Sequence, residues 1–371
     1  MSRKSANRLD TRESAKTPGI VHATRSYERW LRRQTRVVAD DLAHKHERMT
    51  EGPFAFLRGT FYRWLQRWPT VCADQADAPT VAAVGDVHIE NFGTWRDSEG
   101  RLVWGINDVD ESCPLPYTND LVRLATSVTL AIGEGWLTIS ERAACGAILE
   151  GYGRCLSEGG RPVVLAEHQR WLRDLALSQL ANPVAFWQKL RALKKAGGDL
   201  PHHLFRSSLP DPRVRYDVRR RVAGLGSLGH RRFVALAAWG GSLVAREAKA
   251  RAPSAAAWAS GRRVDPAFAG RLLQSAMRIP DPCFVADRSW IVRRLAPDCA
   301  GIEMADLPRR RDEKNLLRAM GWETGNVHLA SRTHGIVDDL RKRPTKWLQR
   351  AAERMSAATW EDWRDWRRRG G

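Results

Sequence analysis

The stretch Gly85-Asp86-Val87-His88-Ile89-Glu90-Asn91-Phe92-Gly93, followed by Trp104-Gly105-Ile106-Asn107-Asp108-Val109-Asp110-Glu111, decides how this chain is read. Ahead of it, Val81-Ala82-Ala83-Val84 has the length and composition of a short buried strand, ended by Gly85. An acid therefore follows directly on a strand, with an asparagine five positions on. A second strand over 101–106, entered by the turn Asp97-Ser98-Glu99-Gly100, delivers another acidic cluster. Taken singly, such acids are turn or capping residues, and His88 is a satisfied core imidazole. Several of them in one window, with a strand leading to each cluster, point to a site.

Outward from this window, 1–22 reads as a flexible polar arm and 23–80 as a helical segment, with helices over 27–49 and 54–68 separated by Gly52-Pro53. The segment 81–215 carries the quoted window and then strong helices over 120–132, begun by an Asn119-Asp120 cap, and 139–156. More helix follows to Leu190, and 194–201 interrupts it. In 216–300 the pattern turns to strands, at 233–238, 242–248 and 290–295. The last segment, 301–371, returns to helix over 312–329 and from Lys346 onward. Helices, a strand pair, helices, a strand-rich stretch and helices make an α+β chain.

Of the 371 residues, 43% are hydrophobic and 28% charged, ordinary for a folded protein. Lys and Arg total 61 against 42 acids, a formal net charge of +19. Such a field suits polyanions. The arginine runs 219–221, 309–311 and 367–369 are scattered, however, so arginines on solvated helices are favoured over a nucleic-acid partner. The six cysteines are widely spaced without a CxxC pair and read as reduced thiols. No apolar stretch reaches ~18 residues, so no membrane span is expected, and the polar N-terminus has no signal core. A cytoplasmic location is the expectation. Trp360, Trp363 and Trp366 suggest a terminal helix packed on the body, with base stacking the sharper alternative.

Phosphoryl transfer asks a protein for one carboxylate to orient the attacking hydroxyl, and for oxygen ligands that hold magnesium on the phosphates. Asp86 suits the first role; Asn91 and Asp108 suit the second. Asp110 and Glu111 are either further metal or phosphate contacts or turn acids. The later run Val222-Ala223-Gly224-Leu225-Gly226-Ser227-Leu228-Gly229-His230 lets backbone N–H groups approach phosphates, through Gly224, Gly226, Ser227 and Gly229, although tight hairpins use the same composition.

Gly85, Asp86, His88 and Asn91 match the Gly-Asp-x-His-x-x-Asn loop of the aminoglycoside and choline phosphotransferase branch of the protein-kinase-like superfamily, and Ile106-Asn107-Asp108 resembles its metal-binding turn. Over roughly 45–335 the chain also resembles an uncharacterised bacterial family labelled domain of unknown function 2252. It does so through Phe54-Ala55-Phe56-Leu57-Arg58-Gly59, the segment around Asp86, and Asn107-Asp108-Val109-Asp110-Glu111. The resemblance implies an ATP- and magnesium-dependent phosphotransferase with Asp86 and His88 catalytic, Asn91, Asp108 and Asp110 on the metal, and an unidentified hydroxylated small molecule or protein as acceptor. It puts a phosphate-pairing lysine at Arg246, with Lys249 three residues on, and makes Arg58 a substrate or phosphate contact. Because the glycine run follows the catalytic loop instead of preceding it, the implied fold is two-lobed, kinase-like and circularly permuted. Alternatives are a nucleotidyl transferase or degenerate nucleotide binder of the same fold, or a non-catalytic nucleic-acid-binding or regulatory protein.

Overall fold

The structure, a computed structural model, describes residues 18–165, 169–299, 301, 312–331 and 335–369; the arm through residue 17 and the run Arg309–Arg311 lie outside them. The helix expected over 27–49 is two helices, α1 (Ile20–Gln34) and α2 (Ala39–Arg48). Between them the β-branched Thr35, Val37 and Val38 favour extended backbone. There Val38 N–H donates to the Gly229 carbonyl (2.8 Å) and Val37 bridges His230. The next expected helix is likewise divided at Thr60, into α3 (Pro53–Gly59) and α4 (Phe61–Val71).

Strand β1 (Thr80–Ala83) ends at the quoted motif, and β2 (Phe92–Arg96), which the sequence reading did not anticipate, leaves it. β3 (Leu102–Ile106) pairs with β2, while β4 (Cys113–Pro116) returns to pair antiparallel with β1. Helix α5 (Tyr117–Gly133) then runs through the core, buried along nearly its whole surface, as a helix enclosed on all sides must be. Helix α6 (Glu141–Glu158) starts at Ser140, whose hydroxyl accepts from Ala143 N–H. β5 (Val163–Val164) adds a third strand to the β2–β3 pair. Three helices follow: α7 (Arg170–Ser178), α8 (Pro183–Ala192) and α9 (His202–Ser208).

The strand-rich stretch comprises β6 (Tyr216–Arg220), β7 (Arg232–Trp239), β8 (Ser242–Ala250), short helices α10 (Ala255–Ser260) and α11 (Phe268–Ser275), then β9 (Val285–Ala286) and β10 (Trp290–Leu295). These strands form one antiparallel sheet in the order β6-β7-β8-β10-β9, with the glycine run between β6 and β7. Helices α12 (Glu313–His328), α13 (Ile336–Lys342) and α14 (Trp347–Arg369) complete the chain.

Two contacts bring the chain's end back to its beginning. α12 lies so close on α6 that a Cβ at Gly321 would sit 2.1 Å from the Ile148 carbonyl oxygen, which only glycine permits. Arg63 of α4 and Asp362 of α14 are both buried and joined by two parallel 2.8 Å hydrogen bonds. The apolar core gathers α1, α3–α6, α12 and α14 around β1 and β3. No helix among the described residues is long and apolar enough to cross a membrane, and all six cysteines are free thiols.

Candidate functional site

Gly85 sets the direction of the chain after β1. Its φ is +82°, a conformation that costs any residue with a Cβ, and a Cβ there would lie 2.4 Å from the Glu111 carbonyl oxygen. Asp120, expected to cap its own helix, is instead inside α5. Its carboxylate accepts from Val84 N–H (2.7 Å) and Gly85 N–H (3.0 Å) and pairs with His328 Nε2 (3.0 Å). The core thus fixes the backbone on which Asp86 stands.

Asp86 takes its neighbour from the same helix. Arg123, wholly buried, donates Nε–H to Asp86 Oδ1 at 3.0 Å, with its guanidinium between the rings of Phe61 (4.9 Å) and Trp64 (5.0 Å). Burial raises the Asp86 carboxyl above its ordinary value while Arg123 works in the opposite direction. Oδ2 accepts no hydrogen bond among the described residues and faces Gly226, where a Cβ would come within 3.4 Å.

Asn91 joins the two quoted segments. Its Nδ2 donates to the carbonyls of Asp86 (3.1 Å) and Asp108 (2.9 Å), and its Oδ1 accepts from Asp108 N–H (2.9 Å). The amide is first of all a brace, and its oxygen keeps one lone pair for a cation. Asp108 accepts from Asp110 N–H at Oδ1 (3.1 Å) and from Lys249 Nζ at Oδ2 (2.8 Å), and Lys249 also pairs with Asp110. Burial works to raise the Asp108 carboxyl, but Lys249 and then Arg293 hold it well below the carboxylate range. Asp110 is pushed up, by burial and by the charge of Asp108. Burial disfavours the Lys249 ammonium, yet the two aspartates raise it above its ordinary value.

Arg246 does not take the lysine's part. In a strand, residues three apart face opposite ways. Lys249 and Glu247 share the face turned to Asp108, while Arg246 is buried on the other, donating to the carbonyls of Ser208 (2.6 Å) and Ala245 (2.9 Å). Glu247 is surrounded by Arg221, Arg232 and Arg293; burial opposes its charge, and these three hold it far below the usual range.

The glycine run forms a 3-10 turn over Leu225–Ser227. Gly224, Gly226 and Ser227 line the cleft, and Lys45 of α2 reaches over to donate to the Gly226 carbonyl (2.9 Å). Gly229 is not at the cleft: it packs on α2, where a Cβ would meet Leu42 at 2.9 Å. Arg58 pairs with Glu90 and lines the cleft. His88 is buried with no partner for Nδ1, and burial, followed by the charges of Arg58 and Arg123, keeps its imidazole neutral. Glu111 accepts from Ala255 N–H (2.7 Å), and burial raises it to about 7.

Of the site residues expected from the sequence, all but Gly229 and Arg246 line one cleft of about 190 Å³, together with Lys45, Arg293, Tyr27, Leu31 and Tyr62. The sequence does not mark Lys45, Arg123, Arg293 or Tyr27 as site residues, although the last two fall in its expected strand 290–295 and helix 27–49. A single arginine within the apolar run 121–132 was a local hint for Arg123; the others carried none. Asp108 and Asp110 are hard donors gathered at one ammonium, and the Asn91 oxygen stands on the Asp108 N–H beside them. Among the described residues no three His, Cys, Asp or Glu side chains assemble as a metal group. Magnesium takes only one or two protein carboxylates, so the donor set fits it.

Comparison with curated proteins and with solved structures gives no match. The model of one family, described as an uncharacterized protein conserved in bacteria (DUF2252), matches residues 36–185 and 191–369. With nearly the whole length covered, the chain belongs to that bacterial family.

Proposed function

We infer that this protein is an ATP- and magnesium-dependent phosphotransferase of kinase-like, circularly permuted architecture, acting on a hydroxylated acceptor. The observation that carries the reading is Asn91, which ties the backbones of Asp86 and Asp108 together while Lys249 closes on Asp108 from the sheet. A carboxylate for the hydroxyl, oxygen ligands for a cation and a lysine for phosphate charge then stand in one cleft beside a glycine turn. The permutation is supported by the turn lying between the first two strands of the sheet and the lysine lying on the third. It is supported also by the end of α12, where Ser331 Oγ accepts from Ala82 N–H (2.6 Å) beside β1.

In this reading the acceptor oxygen forms a bond to the γ-phosphorus, and the bond from that phosphorus to the β–γ bridging oxygen breaks. The leaving diphosphate takes the electron pair. Asp86 receives the hydroxyl proton on Oδ2, the oxygen that Arg123 leaves free. Magnesium, held by Asp108, Asp110 and the Asn91 amide oxygen, would neutralise the charge that builds on the phosphates. Lys249 would turn from Asp110 toward the phosphates, and the Gly224–Ser227 turn would cover them.

The test is a melting curve with and without ATP and magnesium. The wild type is expected to be stabilised only when both are present, and Asp108→Ala to lose that shift. A wild type indifferent to the pair would remove the reading.

A further inference from the structure

Beyond the Lys249 bridge the cleft continues into a larger chamber of about 600 Å³, between α11, β10 and the end of β3. The two spaces share Asp108, Asp110, Lys249 and Arg293. The chamber's other walls are mainly apolar, among them Ile106, Leu273, Phe284 and Val285, with Trp95 at one side. Arg278 stands over Trp95, its guanidinium 4.7 Å from the ring centroid. Its Nε and Nη1 are shut off from solvent and have no hydrogen-bond partner. The buried acid whose charge acts on it, Glu323, is occupied elsewhere, accepting from Ile106 N–H and from the Asn326 amide. A guanidinium stacked on an indole, with apolar walls opposite, is a flat cationic surface suited to an aromatic ring.

We propose that this chamber holds the heteroaromatic base of the nucleotide, an inference that rests on the phosphotransferase reading above. Sites for small organic ligands occupy roughly 300–1,000 Å³. The cleft at Asp86 is smaller than that, and the chamber is not. The groups shared by the two spaces are those proposed to meet the phosphates, so a nucleotide spanning both keeps its charge at Lys249 and its ring at Arg278. The far end of the same sheet face offers no alternative, because Val234, Leu236, Ala245 and Leu295 are packed under Phe186 and Trp187 of α8.

The experiment compares the affinities of magnesium-ATP and magnesium-tripolyphosphate, which has no base, for the full chain by calorimetric titration. Stacking and apolar burial of one base are worth on the order of 10- to 100-fold, and the wild type is expected to prefer ATP by such a factor. Gly270 of α11 lines the chamber, and a Cβ there meets nothing within 4 Å, so Gly270→Trp fills the space without displacing backbone. That variant is expected to bind tripolyphosphate as the wild type does and to lose the preference for ATP. Arg278→Ala is expected to reduce the same preference several-fold, again with tripolyphosphate unchanged. Should Gly270→Trp lose both ligands through misfolding, Arg278→Ala decides by the same ratio. A full ATP preference in the variants puts the base elsewhere and overturns the inference while the phosphotransferase reading stands. A wild type that binds neither ligand overturns both.

Discussion

Lys249 of β8 donates to Asp108 Oδ2 at 2.8 Å, joining residues 141 positions apart in the chain. The same ammonium pairs with Asp110, so one cation stands between two carboxylates. Such an arrangement is poised to exchange, since a divalent ion and a phosphate together satisfy the carboxylates and the ammonium separately.

Replacing this lysine tests the exchange. Lys249→Met removes the charged donor that the phosphotransferase reading assigns to the phosphates, and loss of one donor of this kind is expected to cost on the order of 10²- to 10³-fold in turnover. Arg246→Gln is expected to leave ATP stabilisation intact, because the Arg246 guanidinium bonds Ser208 and Ala245 on the opposite face. Turnover measured at saturating ATP checks the first, and the melting shift with ATP and magnesium checks the second.

Arg123 is the positioning residue for Asp86. Arg123→Met leaves the partly buried Asp86 carboxylate without its cation, at a cost of up to about 3 kcal/mol in unfolding free energy. Urea denaturation measures it. Asp86 is expected to rise further above its ordinary value in this variant, moving the acidic limb of the pH–rate profile upward. Loss of stability without movement of that limb would make Arg123 a core residue only.

Glu111 predicts a pH dependence with a definite sign. Its carboxyl is raised by burial from 4.5 to about 7, so the folded state binds its proton more tightly than the unfolded state. The stabilisation from that proton is complete below the unfolded value and is lost as pH rises through the folded one. The melting temperature of the wild type minus that of Glu111→Gln is therefore expected to fall between pH 4.5 and pH 7, the two values that bound the shift. A difference independent of pH would contradict the assignment.

Gly85→Ala places a Cβ at positive φ and against the Glu111 carbonyl. The backbone alone costs ~1–2 kcal/mol. Because Asp86 is the next residue, activity is expected to fall beyond what the lost stability explains, which kcat measured well below the melting temperature will show.

Much of this was legible along the chain. The strand before Asp86, the strand before Asp108 and the helices 120–132, 139–156 and 312–329 carry their own periodicity, caps and breakers. β2 was hidden, because Phe92-Gly93-Thr94-Trp95 reads as the tail of the acidic loop until β3 lies beside it. The break between α1 and α2 has only a weak local signal in the β-branched Thr35, Val37 and Val38, and it is fixed by Gly229, which accepts the Val38 N–H. The resemblance puts the phosphate-pairing position at Arg246, with Lys249 three residues on; alternation sets the two on opposite faces, and only the fold says which face looks at the acids.

What the sequence alone determined are the α+β order of elements, the residue types of the site and the glycine that turns the chain into Asp86. These depend on neighbours within a few positions, where backbone sterics and short-range hydrogen bonding act. Only the tertiary structure decided that Lys249 serves Asp108, that Arg123 steadies Asp86, that Lys45 clasps the glycine turn, and that a second chamber opens beside Arg278. Those pairings join elements far apart in sequence, and they form because packing the core leaves each charged group one place where a partner can satisfy it.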